Sequence, residues 1–184
     1  AQPYVSRSYL APERDSGDQT TAAALVYLAE ILGGSGATSV LGTELQFDMQ
    51  QAIYTSAYYG GTALDNTTFG LIAVPGPGVS LQQVGDAMDA AIAKFMATGI
   101  NIETFERIKM QMRASEIYAM DNVEGIANRY GAAWTQGLTI ADVQEWPRIL
   151  QEVTPDEVMV AARLVFDQKA SVTGWLMGPQ EELK

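Results

Sequence analysis

The residue types that most often carry acid–base, nucleophilic or metal chemistry are scarce in this sequence. Its 184 residues include no histidine and no cysteine. Ser-His-Asp and Cys-His arrangements are therefore impossible within the chain. Zinc favours imidazole and thiolate ligands, so only carboxylates would remain to bind it. We expect no catalytic constellation and no metal site formed by this chain alone.

Two weaker patterns have alternative interpretations. Asp86 and Asp89 lie one helical turn apart and could bind a hard cation, but surface helices usually carry charge there. The glycine-rich stretches GGSG (33–36) and PGPG (75–78) are not followed by the Gly-Lys-Ser/Thr of a phosphate-binding loop. We interpret the aspartates as solvated residues and the glycine stretches as a helix end and a turn.

Composition excludes several function classes. The chain has 22 acidic and 11 basic residues and a net charge of −11, so it would repel a phosphate backbone, and we expect no nucleic-acid partner. No stretch reaches the roughly 18 consecutive apolar residues of a membrane span. The length suits one domain, residues 1–184, and the abrupt start in strand-like sequence suggests a fragment of a longer protein.

Hydrophobic periodicity and turn residues predict the elements that would position any site. Strands are expected over 4–10, 52–59, 67–74 and 170–176, and the second and third form an antiparallel hairpin around GGTALDN. Helices are expected over 20–32, ending at Gly33-Gly34, and over 37–47. Further helices should begin at the capping patterns that start at Ser80, Asn101, Asp121, Thr139 and Thr154.

This order, with few strands and segregated helices, predicts an α+β fold. We expect a two-layer domain with a mostly antiparallel or mixed sheet and helices packed on one face. Four methionines are interpreted as core residues: Met110, Met112, Met120 and Met159. Three tryptophans are expected in the core or at a domain interface: Trp134, Trp146 and Trp175.

An ordered set of segments carries a family resemblance. It runs through YLAP, ALVYLAEILGGSGATSVL, FGLIAVPGPG, FMATGINIETFERIK, IYAMDN, RYGAAWTQGLTIADVQEWPRIL, VTPDEV and SVTGWLMGP. From about Pro3 to Pro179 the chain resembles the C-terminal, non-zinc half of a bacterial member of the pitrilysin/insulinase family of zinc metallopeptidases. No single motif is diagnostic of this family, but the order of the segments is.

The resemblance implies a processing-peptidase-like fold in which homologous α+β units enclose a peptide in a clam-shaped chamber. Zinc would lie in the parent protein or a partner unit, on a His-x-x-Glu-His motif that this chain lacks. The implied partners are a homologous zinc-bearing domain, on the same polypeptide or a separate subunit, and a peptide substrate. The residues do not locate the protein; a parent with a signal peptide would favour the periplasm.

The resemblance also implies where the substrate would be gripped. The family's non-zinc unit often contributes an arginine and a tyrosine, and these positions are Gln46 and Ile53 here. Tyr54 follows Ile53 and would point to the opposite face of a regular strand. With Tyr58, near the hairpin end, these residues are the candidates for lining the substrate chamber.

Three hypotheses follow. The chain is a non-catalytic half of a zinc peptidase that forms one wall of its chamber, or a proteolytically inactive structural or interaction subunit of the same fold. The third is an independent ligand-binding domain, which would have no exposed apolar face. For a unit separated from its partner we expect an exposed apolar patch instead.

Overall fold

A computed structural model describes residues 2–178 of the chain as an α+β fold, in the predicted order of elements. The strands are β1 (Tyr4–Ala11), β2 (Ala52–Tyr59), β3 (Thr67–Pro75) and β4 (Ser171–Leu176). The α-helices are α1 (Thr20–Ala29), α2 (Leu81–Thr98), α3 (Ile102–Ala119), α4 (Val123–Thr135), α5 (Ile140–Glu152) and α6 (Pro155–Val165). Within this part of the chain, no helix combines the length and apolar character needed to cross a membrane.

The four strands form one antiparallel sheet in the order β2-β3-β1-β4. Residues alternate between its two faces. On β1 the side chains of Val5, Tyr9 and Ala11 are buried, whereas Tyr4 and Leu10 are exposed. Phe69 and Ala73, the β3 partners of Tyr9 and Val5, are buried too. One face is therefore covered, and we call the other the open face.

Helices cover the first face. α2 contacts β1 and β3, α6 contacts β1 and α1, and α1 also contacts β2. Their buried side chains, such as Leu28, Met88 and Val158, form one cluster with those of the sheet. α5 lies against α1, where the Tyr27 hydroxyl donates to the Leu150 carbonyl over 2.9 Å. The two-layer prediction, with helices on one face of the sheet, is confirmed.

Local sequence signals fixed most helix starts. Ser80, Thr139 and Thr154 each form a capping box with the residue three positions later, and the Asn101 side chain accepts from the Thr104 amide. One start was misplaced: α4 is capped by Asn122 rather than Asp121. The amide oxygen of Asn122 accepts from the Gly125 N–H, and this bond selects it as the cap.

The two predicted helices around Gly33 differ in detail from expectation. α1 continues as a π-helix over Glu30–Gly34. The helix predicted for 37–47 begins only at Val40 and is π-helical over Gly42–Asp48. A Cβ on Gly33 would lie 2.0 Å from the Ala57 amide nitrogen, so the absence of a side chain lets the first π-helix approach β2 this closely.

An apolar surface of exposed large side chains lies on the helices α3 and α4 and between them, and the sequence predicted an exposed apolar patch. Only Ala133 is buried in α4. The surface includes Tyr118, Val123 and Trp134. It also includes Met110 and Met120, so the prediction that these two methionines fill the core was wrong. Met159 is buried and Met112 packs against the core.

Candidate functional site

The candidate residues lie in a short segment in which regular structure is interrupted three times. The π-helix over Gly42–Asp48 is followed by Gln50, whose φ of +53° is unusual for a residue other than glycine. The register of β2 then shifts between Ala52 and Tyr54. π-Helical turns, left-handed residues and bulges all recur at functional sites. This concentration of irregular backbone identifies the segment for closer description.

The register shift is a bulge at Ile53. Ala52 lies opposite Pro75 and Tyr54 opposite Val74, so Ile53 has no partner on β3. The extra residue interrupts the alternation of side chains along the strand. Ile53 and Tyr54 are consequently 52% and 53% exposed. The expectation that Tyr54 points away from Ile53 was wrong, because that argument requires a regular strand.

Tyr58 lies farther along the open face. It is paired with Gly70, and a Cβ on Gly70 would lie 2.1 Å from the Tyr58 Cζ atom. The phenol ring therefore lies flat over the glycine, in space that any other side chain would fill. Tyr54 and Tyr58 thus bring two aromatic side chains to the same uncovered face, and Ile53 borders it.

Gln46 is engaged within the fold. Its Nε2 atom donates to the Thr55 Oγ1 atom over 2.7 Å, and Thr55 is buried on the covered side of β2. The bond fixes the π-helix to the strand that carries Ile53 and Tyr54. Gln46 therefore positions the segment, and its role as a chamber residue stays a prediction.

The loop after β3 forms a second boundary of the region. Gly76–Val79 is a turn in which the Val79 amide donates to the Gly76 carbonyl over 3.1 Å. Pro77 and Gly78, with φ +81° at the glycine, occupy the central positions that a type II turn favours. This agrees with the interpretation of PGPG as a turn. The turn also lines a cavity of about 490 Å³ with Gln2, Pro3 and Ile53, which the sequence did not indicate.

Arg14 and Asp142, whose pKa values are strongly shifted, lie away from the open face. Burial lowers the pKa of Arg14 to about 10, and the Arg14 guanidinium lies 3.9 Å from the centre of the Trp146 ring. The Thr139 hydroxyl and further donors hold the pKa of Asp142 well below its usual range. Arg14 Nη2 donates to the Asp142 carbonyl over 2.8 Å. This network joins the loop after β1 to α5 and is structural.

Zinc does not fit the residues of this chain. Imidazole and thiolate ligands are absent from the sequence. Among residues 2–178, no three acidic side chains group closely enough to hold a metal ion. The two aspartates that could have bound a hard cation have other partners. Asp89 forms an ion pair with Arg7 of β1, and the Asp86 carboxylate accepts from the Gln82 side chain over 2.8 Å.

Solved structures share the fold. With a protease from Helicobacter pylori the TM-score is 0.85 at 19% identity, over 96% of this chain and 41% of that one. With the inactive peptidase domain of a proposed zinc protease from Bordetella parapertussis it is 0.85 at 15% identity, over 100% and 94%. With a chain of Complex III2 from Candida albicans it is 0.70 at 10% identity, over 94% and 42%.

The first of these structures is thus more than twice as long as this chain. No curated protein matches the sequence. A family model described as the peptidase M16 inactive domain matches residues 1–112, which is more than half of the chain. The match includes β1, the irregular segment, the bulged strand β2 and the turn after β3. The chain belongs to the family of peptidase M16 inactive domains.

Proposed function

We propose that this chain is the non-catalytic half of a zinc-dependent metalloendopeptidase and that the open face of its sheet forms one wall of a peptide-binding chamber. The observation that carries the proposal is the uncovered face, on which Tyr54 and Tyr58 are exposed beside the bulged Ile53. Membership of an inactive peptidase family supports a role beside an active unit.

The division of labour follows from the residues present. The chain offers aromatic and aliphatic side chains that can contact a peptide, and no side chain of the types that usually hold zinc. A partner unit holds the zinc, which would supply Lewis-acid activation of water and of the scissile carbonyl. The exposed apolar surface on α3 and α4 supports association with another unit.

The test compares peptide cleavage by the chain alone with cleavage by its complex with a zinc-bearing unit, on one polypeptide or as two subunits. We expect no cleavage by the chain alone and chelator-sensitive cleavage by the complex. Replacing Tyr54 and Tyr58 by Ser should raise KM, because the wall contacts substrate away from the metal. A complex that binds zinc but cleaves no peptide in a broad library would contradict the proposal.

A second candidate is a structural or interaction subunit without proteolytic function. Two points favour it: the family resemblance puts Gln46 and Ile53 at the positions of the substrate-contacting arginine and tyrosine, and the Gln46 Nε2 atom donates to Thr55 Oγ1. The similarity to a Complex III2 chain shows that the fold also occurs within a large assembly. An inactive complex in which α3 and α4 are covered by the partner would support this candidate instead.

A further inference from the structure

The cavity beside Ile53 lies where β2 is bulged and next to the turn that follows β3. It is about 490 Å³ and lies between the start of the chain at Gln2 and Pro3, the bulge, and the segment 75–80. This volume falls within the roughly 300–1,000 Å³ of pockets that bind small ligands. A single large side chain of a peptide would therefore fit with room to spare.

The walls of the cavity are fixed by local bonds. The Gly76 amide donates to the Gln51 carbonyl over 2.8 Å and holds the turn against the start of β2. Ser80 closes the other end through its capping box with Gln83. Proline rings at Pro3, Pro75 and Pro77 restrict the backbone further. A pocket formed in advance loses little conformational entropy when it is filled.

The chemistry of the lining selects an uncharged occupant. None of the residues that line the cavity is ionisable, although the chain as a whole carries a net charge of −11. Aliphatic surface comes from Ile53, Val79 and the proline rings. A carboxylate or ammonium group would lose hydration here without meeting an oppositely charged side chain, whereas an aromatic or large aliphatic side chain would gain from burial.

The edge of β2 supplies a site for the main chain of the same peptide. β2 is an outer strand of the four-stranded sheet that the described residues form, so the main-chain groups along its outer edge pair with no other strand of this sheet. Peptide recognition commonly combines main-chain hydrogen bonds with a pocket for one side chain. This edge and the cavity meet at Ile53, whose side chain lines the cavity.

We propose that this cavity is a specificity subsite that takes an aromatic or large aliphatic side chain of an extended peptide. The inference rests on the proposed function, in which peptide lies on the open face, and it adds the substrate class. The residues that determine the preference are Ile53, Pro77 and Val79. These three uncharged side chains line the cavity near the end of β3.

The test uses the full 184-residue chain without any zinc-bearing unit. Amide NMR spectra are recorded while acetyl-Ala-Phe-Ala-amide is added, and acetyl-Ala-Asp-Ala-amide is added to a second sample. We expect the first peptide to shift the amide signals of Ile53, Gly76 and Gly78 and to bind about tenfold more tightly than the second. Equal affinities, or no shift at these amides at the solubility limit of the peptide, would overturn the subsite.

Two variants and a control locate the site. Ile53→Lys and Pro77→Glu each place a charge in the lining and should weaken binding of the Phe peptide about tenfold. Val160→Lys is the matched control, because Val160 is exposed on α6, and it should leave affinity unchanged. Melting curves check that each variant is folded. Unaltered affinity in both folded lining variants would place the peptide elsewhere.

The outcomes also separate this inference from the proposed function. Shifts confined to Ser56 and Gly70 on the open face would keep the chamber wall and remove the subsite. Shifts at the cavity, together with a zinc-loaded complex that cleaves nothing, would keep the subsite and remove the peptidase role.

Discussion

Gln50 holds the backbone in a conformation that its side chain disfavours. Its φ of +53° lies in the left-handed region, where a residue with a Cβ atom is strained by roughly 1 kcal/mol or more. Neighbouring bonds maintain it: the Met49 amide donates to the Glu44 carbonyl and the Gln51 amide to the Leu45 carbonyl. The strained residue connects the π-helix directly to the bulged strand.

Gln50→Gly should therefore stabilise the protein. Glycine adopts a positive φ without a steric penalty, so we expect a gain of roughly 0.5–1 kcal/mol in the free energy of unfolding, after the entropy lost by a more flexible unfolded chain. Denaturant titration measures it. Gln111→Gly, in the exposed interior of α3, is the matched control and should cost about 1 kcal/mol. Destabilisation by both changes would show that Gln50 is not strained.

The candidate residues show which parts of the site could be predicted from sequence. The stretch that holds Gln46, Ile53, Tyr54 and Tyr58 was found from the resemblance, and its strand was placed with the observed limits. The bulge was not predicted, because it depends on the register between β2 and β3 and on the π-helix packed beside them. Gln50 likewise gives no glycine signal, so its conformation is imposed by the surrounding bonds.

Helix starts were the elements most open to prediction, because a cap needs only four consecutive residues. At α6, Thr154 Oγ1 accepts from the Glu157 amide, and the Glu157 carboxylate accepts from the Thr154 amide over 2.8 Å. Pro155 occupies the first helical position. The π-helices escaped prediction for the opposite reason. Both π-helices contact β2, and no local pattern encodes such a contact between distant residues.

Thr154→Ala should lower the free energy of unfolding by about 1 kcal/mol through loss of the cap. Thermal and denaturant unfolding measure the change. Thr98→Ala is the control: Thr98 lies in the last turn of α2, and its hydroxyl donates only to the Lys94 carbonyl of the same helix. Equal stability of the Thr154 variant and the natural chain would mean that the capping box contributes nothing to α6.

At the scale of the whole molecule, the Asp142 carboxylate connects distant parts of the chain. Ser16 Oγ donates to it over 2.7 Å and the Gly17 amide over 3.1 Å. The Thr139 hydroxyl, at the start of α5, donates to it as well. These donors favour the charged form, so the pKa of Asp142 is lower in the folded protein than the usual value of about 3.9. The unfolded chain therefore binds more protons than the folded chain as pH falls below that value.

Stability should consequently decrease on acidification. The contribution of Asp142 is fully present above about pH 4 and is lost progressively as the pH falls toward its lower folded pKa. We expect Asp142→Asn to lower stability at neutral pH and to flatten the decline below about pH 4, as measured by denaturant titration across pH. Asp121→Asn, at an exposed residue, is the variant for comparison. Identical slopes for both variants would assign the acid sensitivity to other groups.

The strand order β2-β3-β1-β4 has a consequence for how the chain acquires its structure. β1 precedes the other strands in the chain but occupies an interior position, with Tyr9 opposite Phe69 on one side and Tyr4 opposite Leu176 on the other. A ribosome must add just over half of the 184 residues between the end of β3 and the start of β4. Until then one edge of β1 has no partner, and a long unpaired edge invites pairing with other chains. Such distant pairings also slow folding, so the nascent chain depends on the early β2–β3–β1 assembly to hold β1 until β4 arrives.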